Sequence, residues 1–159
     1  MARSWMKSAH NGGEPVNIAR VLQTKGNLVL TTTPDTSIPD VCSKMRMHNV
    51  GALVVSRDGT HLDGMISERD IVLGLAREGE RVLRQTAGQL MTRSVYSCAP
   101  SDSIKHAMEL MTNHRVRHLP VVEGTALVGL ISIGDVVKDR LKEVELETNV
   151  LRDVYLAGH

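Results

Sequence analysis

Gly64-Met65-Ile66-Ser67-Glu68-Arg69-Asp70-Ile71-Val72 and Gly129-Leu130-Ile131-Ser132-Ile133-Gly134-Asp135-Val136-Val137 are two versions of one segment, 65 positions apart. In each, a glycine opens a short apolar run, a serine closes it, and an aspartate stands three residues after the serine. Toward the N-terminus, Thr33-Pro34-Asp35-Thr36-Ser37-Ile38 lies over Ala99-Pro100-Ser101-Asp102-Ser103-Ile104. Met45, His48, Val50 and Leu53 then lie over Met111, His114, Val116 and Leu119, now at an offset of 66. The one-residue slip falls near Gly59 and Gly124, where a hairpin loop absorbs it. A chain that contains itself twice at this period is two repeats sharing a core.

The repeats have one reading. Ile38, Val41, Cys42 and Met45, and again Ile104, Ala107, Met108 and Met111, form the i, i+3, i+4, i+7 stripe of an amphipathic helix, with N-cap candidates in the polar residues before it. Two short apolar runs follow: Ala52–Val55 and the run ending at Met65-Ile66, matched by Leu119–Val122 and Leu127–Ile131. Asp58-Gly59 and Glu123-Gly124 between them predict two strands joined by a turn. A second helix begins at Ser67 or Ser132, so the order is β-α-β-β-α, twice, in an α+β fold. Outside the repeats, Val16–Thr24 predicts a lead-in helix ended by Gly26, and Arg84–Met91 a linker helix. Residues 1–15, with Gly12-Gly13 and Pro15, are expected to be loose. After Asp135 the helix is expected to run on, because Val137, Leu141, Val144, Thr148, Leu151 and Tyr155 step by four and three, the seam of a helix with a partner. The organisation expected is 1–15 as a tail, 16–80 as the first repeat with its lead-in helix, 81–140 as the second with its linker, and 141–159 as a C-terminal helical extension.

Composition narrows the function. Hydrophobic residues at 42% and charged residues at 23% suit a globular core, filled by Val, Ile, Leu and eight Met since Phe is absent. With one Trp and two Tyr the chain lacks the rings on which single-stranded bases stack, and a net charge of +1 lacks the broad basic surface nucleic acid requires. No run reaches the roughly 18 apolar residues of a membrane span, and no N-terminal stretch resembles a signal peptide. Cys42 and Cys98 have no CxxC spacing and read as small core residues. A cytoplasmic protein is expected. There is no HExxH pair, no phosphate-binding glycine loop and no nucleophile with a recognised base, so catalysis and metal binding are not expected.

The paired Gly-x-x-Ser-x-x-Asp segments, together with Arg117-His118-Leu119-Pro120-Val121-Val122, resemble the CBS-domain family (the cystathionine-β-synthase repeat) over about residues 16–140. The charged extension after Asp135 is similar to stand-alone bacterial pairs. The resemblance implies a pseudo-twofold disc, or Bateman module, with two clefts between the repeats. In many relatives such clefts hold AMP, ADP, ATP, NAD(H) or S-adenosyl compounds.

Two chemistries fit Ser67/Asp70 and Ser132/Asp135. One is a capping box, in which serine and aspartate satisfy the orphan N–H groups of a helix start. The other, which the resemblance implies, is nucleotide binding: the aspartate accepts from the ribose hydroxyls, and the helix N-terminus favours a nearby phosphate. His114-Arg115-Val116-Arg117-His118 is a dense basic patch that the first repeat replaces with His48-Asn49-Val50-Gly51-Ala52. The fold does not require charges there, so Arg117, His118 and Arg115 are candidate phosphate ligands, as against a solvated loop. Arg69, at a helix start, is a candidate phosphate ligand or a surface residue. Adenine is expected near Leu28-Val29-Leu30 or Val95-Tyr96. Because Arg115, Arg117 and His118 lie in the second repeat only, Asp135 is expected to matter more than Asp70. The expected function is an adenine-nucleotide sensor binding AMP, ATP or NAD(H), homodimeric and with no required cofactor. A ligand-free interaction module acting through the C-terminal helix is the alternative, and a small nucleotide-acting enzyme the third.

Overall fold

The computed structural model describes residues 16–158. The stretch 1–15 that the sequence marks as loose lies outside them. The order is α1 (Ile18–Lys25), β1 (Thr31–Thr32), α2 (Ile38–His48), β2 (Ala52–Val55), β3 (Gly64–Ser67), α3 (Glu68–Glu78), α4 (Ala87–Leu90), α5 (Ile104–His114), β4 (His118–Glu123), β5 (Ala126–Ser132) and α6 (Ile133–Ala157). β1 pairs parallel with β2, which pairs antiparallel with β3; β4 and β5 form an antiparallel pair. Helices α2 and α5 are capped as the polar starts predict, Ser37 accepting from the Asp40 N–H and Ser103 from the His106 N–H.

Each repeat owns a core. Ile38, Val41, Leu53 and Ile66 pack with Val82, Ala87 and Met91 in the first. Ile104, Ala107, Leu119, Ile131 and Val136 pack with Ile18, Val21 and Leu22 in the second. The lead-in helix α1 therefore precedes the first repeat in the chain but fills the core of the second, and the linker fills the core of the first. Matching hydrogen bonds hold both additions. The Ile18 N–H donates to the Asp102 carbonyl and the Ala19 N–H to the Pro100 carbonyl, while Ala87 and Gly88 donate to the Thr36 and Pro34 carbonyls, all at 2.8–2.9 Å. Lys25, the last residue of α1, thereby reaches the Ser132–Asp135 corner, and Thr92, just past α4, the Ser67–Asp70 corner.

Three expectations need correction. The linker is not one helix over Arg84–Met91. A 3₁₀ turn covers Gly79–Arg84, Gln85 is extended, and α4 starts at Ala87 behind its Thr86 cap. The opening strands are much reduced. Leu28–Leu30 is not strand, leaving only Thr31–Thr32, and in the second repeat a single bridge from Cys98 to Val121 remains. The turn after β2 is longer than a tight hairpin, with Asp58 accepting from the Thr60 and His61 N–H groups, whereas β4 and β5 are joined by Gly124 and Thr125 alone. Gly124, at φ 63, supplies the left-handed residue that short link needs. Cys98 is buried against β4, and burial with the nearby Asp102 charge pushes its thiol up to about 12, the state of an inert core cysteine. Cys42 packs partly on the first core.

Candidate functional site

Both serine–aspartate pairs form the capping box. The Asp70 Oδ2 accepts from the Ser67 N–H and hydroxyl, each at 2.8 Å, while the Asp70 N–H donates to the Ser67 hydroxyl at 3.3 Å. Asp135 repeats this with Ser132 at 2.8, 2.9 and 3.3 Å. Capping employs one carboxylate oxygen and leaves the other for further work. At Asp70 that atom, Oδ1, accepts from the Thr92 hydroxyl at 3.2 Å.

Asp70 faces a cavity of about 730 Å³ between the repeats, a size suited to a small-molecule ligand. The first repeat contributes Ser67, Glu68, Arg69 and Asp70; the second contributes His114, Arg115, Arg117 and His118. Met65, Leu73, Val95 and Val116 give it apolar walls, and Thr92, Ser94 and Tyr96 come from the chain joining the repeats. The candidate residues thus meet across the repeats, with Arg117 facing the same cavity as Asp70. Ser132 and Asp135 do not line this cavity. Asp135 Oδ2 is bound instead by the Lys25 ammonium at 2.6 Å. Of the two adenine candidates, Val95 and Tyr96 line the cavity; Leu28 is exposed and Leu30 packs on the first core. A second hollow, of about 680 Å³, is lined by Cys42, Arg46 and Ile71 and contains none of the expected site residues.

The cations are placed by backbone that does not need them. The Gly51 carbonyl accepts from the Glu68 N–H at 3.0 Å, and the Arg117 carbonyl accepts from the Ile133 N–H at 2.9 Å. Gly51 and Arg117 therefore make the same structural contact, which costs the fold nothing when the side chain is absent. Asn49 and Arg115 likewise both end their helices at φ 52. Asparagine visits that left-handed region readily, but arginine does so at a steric cost. The Arg69 guanidinium reaches the Arg115 carbonyl at 3.4 Å, so Arg69 of the first repeat touches the end of α5 in the second.

His118, at the start of β4, is half-buried between the serine–aspartate corners. Burial pushes its imidazole below its ordinary value and the Lys25 charge pushes the same way; Asp135 and Glu68 oppose them, and Arg117 adds a small further push down. The ring is consequently neutral at physiological pH and offers one N–H donor. His114 and Tyr96 stack with centroids 3.7 Å apart at 14°. His114 and His118 are four apart in sequence, yet one ends α5 and the other begins β4, so they do not form a helical metal-binding pair. Among the described residues no group of three or more metal-ligating side chains occurs. Thr92, Glu68 and His114 were not singled out from the sequence. Thr92 carries no motif signal; it arrives by the path of the linker.

The CBS-domain profile matches residues 27–77 and 87–142. The chain belongs to the CBS-domain family. It is 34% identical over 156 residues to a mitochondrial CBS domain-containing protein of Arabidopsis thaliana, covering 93% of this chain and 75% of that one. Among solved structures, a CBS-domain-containing protein of Agrobacterium tumefaciens matches with TM-score 0.76 and 38% identity, covering 79% of this chain and 99% of its own. A CBS domain protein of Pyrobaculum aerophilum, solved in complex with AMP, matches with TM-score 0.70 and 26% identity over 84% of this chain and 99% of its own.

Proposed function

We propose that this CBS pair is a regulatory module that binds one adenine nucleotide, AMP, ATP or NAD(H), between its repeats and catalyses no reaction. The observation that carries the reading is the convergence of Asp70 with Arg115, Arg117 and His118 on one cleft, from different repeats. The Asp70 Oδ1 is positioned to accept from ribose hydroxyls once the Thr92 hydroxyl turns away. Arg117, Arg115 and His118 supply charged and neutral donors for phosphate, with Arg69 at their edge. Val95, Met65 and Leu73 give adenine an apolar wall, with Tyr96 beside it. The AMP-bound Pyrobaculum relative supports the choice of ligand. A nucleotide held by both repeats ties their relative position to its concentration, which is how such a module would report energy or redox state.

A ligand present at a hundredfold excess over its Kd stabilises the folded state by about 2.7 kcal/mol. For a chain of this size that raises the melting temperature by roughly 5–10 °C. AMP, ADP, ATP, NAD, NADH and S-adenosylmethionine at millimolar concentration are the screen, and a rise with at least one is expected. Six unchanged melting curves would defeat the reading.

The second, interaction-module reading attaches to α6. Val137, Leu141, Val144 and Leu151 are exposed along the four-three seam, on a helix of 25 residues. In a parallel pair with a second copy of this chain, Arg140 would face Glu145 of the second copy, and Glu147 would face Arg152 of the second copy. That charge match favours a parallel homodimer. Changing Leu141 and Val144 together to Asp is then expected to convert dimer to monomer in light scattering. An unmodified chain that is monomeric at micromolar concentration would remove the dimer. Among the described residues no helix is long and apolar enough to cross a membrane, and we propose a cytoplasmic location.

A further inference from the structure

We infer that Glu68 sets which nucleotide the cleft takes, favouring AMP over the polyphosphate ATP by placing a carboxylate beside the phosphate end. The inference rests on the nucleotide reading above and adds to it the charge of the ligand and the residue that decides it.

Glu68 opens α3, one residue after Ser67, and lines the cleft. It is exposed, and its carboxylate makes no hydrogen bond or ion pair among the described residues. Gly51 has no side chain and leaves the space beside it to others. A Cβ built at Gly51 would lie 3.3 Å from Glu68 Oε2 and 3.7 Å from His118 Cε1. The carboxylate of the first repeat and the imidazole of the second therefore converge on one point of bare backbone. Burial is the main influence on the His118 ring, pushing it down, and the Glu68 charge is close enough to pull the other way. A phosphate that accepts from His118 thus has Glu68 as a neighbour. The second repeat has no such group, because the position matching Glu68 is Ile133.

Charge in the cleft is mixed. Arg69, Arg115 and Arg117 line it with three positive charges, and Glu68 and Asp70 return two negative ones. Among its arginines and carboxylates the balance is a single positive charge, against about −1.5 to −2 on the phosphate of AMP. ATP carries more, and the excess meets Glu68 at short range in a partly enclosed site, where water and salt screen less. Without Glu68, three arginines would favour the longer phosphate chain. The hollow beside Cys42 and Arg46 shares only Gly51 and Glu68 with the cleft. Glu68 therefore stands on the boundary where a longer chain would find room. A repulsive group set against one of two similar ligands is how a site chooses between them.

Calorimetric titration of the full chain with AMP and with ATP, first without Mg²⁺ and then with it, tests this. Without Mg²⁺ the unmodified chain is expected to bind AMP at least about tenfold tighter than ATP, which corresponds to about 1.4 kcal/mol. Glu68→Gln removes the charge and keeps the shape, and is expected to narrow that ratio at least about fivefold, chiefly through tighter ATP binding. Glu68→Ile, which copies Ile133 of the other corner, is expected to do the same and serves where circular dichroism shows Glu68→Gln to be unfolded. A smaller preference in the unmodified chain, or one that both variants leave unchanged, overturns the role of Glu68 while leaving the nucleotide reading intact. So does a chain for which Mg²⁺ makes ATP the tighter ligand, since Glu68 would then serve the cation. Should neither AMP nor ATP bind, the role of Glu68 falls, and with NAD and NADH also silent the nucleotide reading falls with it.

Discussion

Asp70→Ala and Arg117→Ala are each expected to weaken AMP binding at least tenfold, while Asp135→Ala leaves affinity within about twofold. Tenfold corresponds to about 1.4 kcal/mol, and a hydrogen bond to a charged group is worth about 1.5–3 kcal/mol. In the proposed complex Asp70 is one partner of such bonds through Oδ1, and Arg117 another through its guanidinium. Each aspartate also caps a helix, so both alanine changes should cost similar stability, about 1 kcal/mol. Stability and affinity therefore separate: Asp70 loses both, Asp135 mainly the first, Arg117 mainly the second. Unfolding free energies beside calorimetric affinities for the three variants make the comparison. Equal affinity losses at Asp70 and Asp135 would mean that both corners bind alike.

The core makes the opposite prediction, of symmetry. Ile66 and Ile131 occupy matched places in β3 and β5 and both are fully buried. Ile66→Ala and Ile131→Ala should each cost about 2–5 kcal/mol, the range for deleting most of a large aliphatic side chain from a packed interior. At roughly 2–4 °C per kcal/mol the melting temperature falls by about 4–20 °C in both. Urea unfolding is the measurement. A cost below about 1 kcal/mol for either would mean that its repeat is not packed as described. The core is thus present twice, and the basic stretch of Arg115, Arg117 and His118 once.

That contrast also marks what could be read from the residues alone. The repeats, the helix stripes, the serine caps and the long last helix were legible because each is local: period 3.6, a polar residue ahead of a stripe, a serine three before an aspartate. The basic stretch at 114–118 was legible as an oddity by comparison of the repeats. Its partner was not. Sequence order places Arg117 beside the Ser132 corner, where its carbonyl does bond Ile133, but its facing the cavity that Asp70 lines depends on how the two repeats pack. Lys25 gave no signal either, since it ends a helix as lysines commonly do and meets Asp135 only after 110 residues of chain have folded. The opening strands were misjudged for a related reason. Leu28-Val29-Leu30 has strand composition, yet only the residues beyond it find a partner in β2.

A crystal structure of the protein grown with AMP tests the central claim most directly. The account predicts AMP between the repeats, its ribose hydroxyls on Asp70 Oδ1 and its phosphate within hydrogen-bonding distance of Arg117 and His118. AMP seated instead on Asp135, or in the hollow beside Cys42 and Arg46, would contradict it.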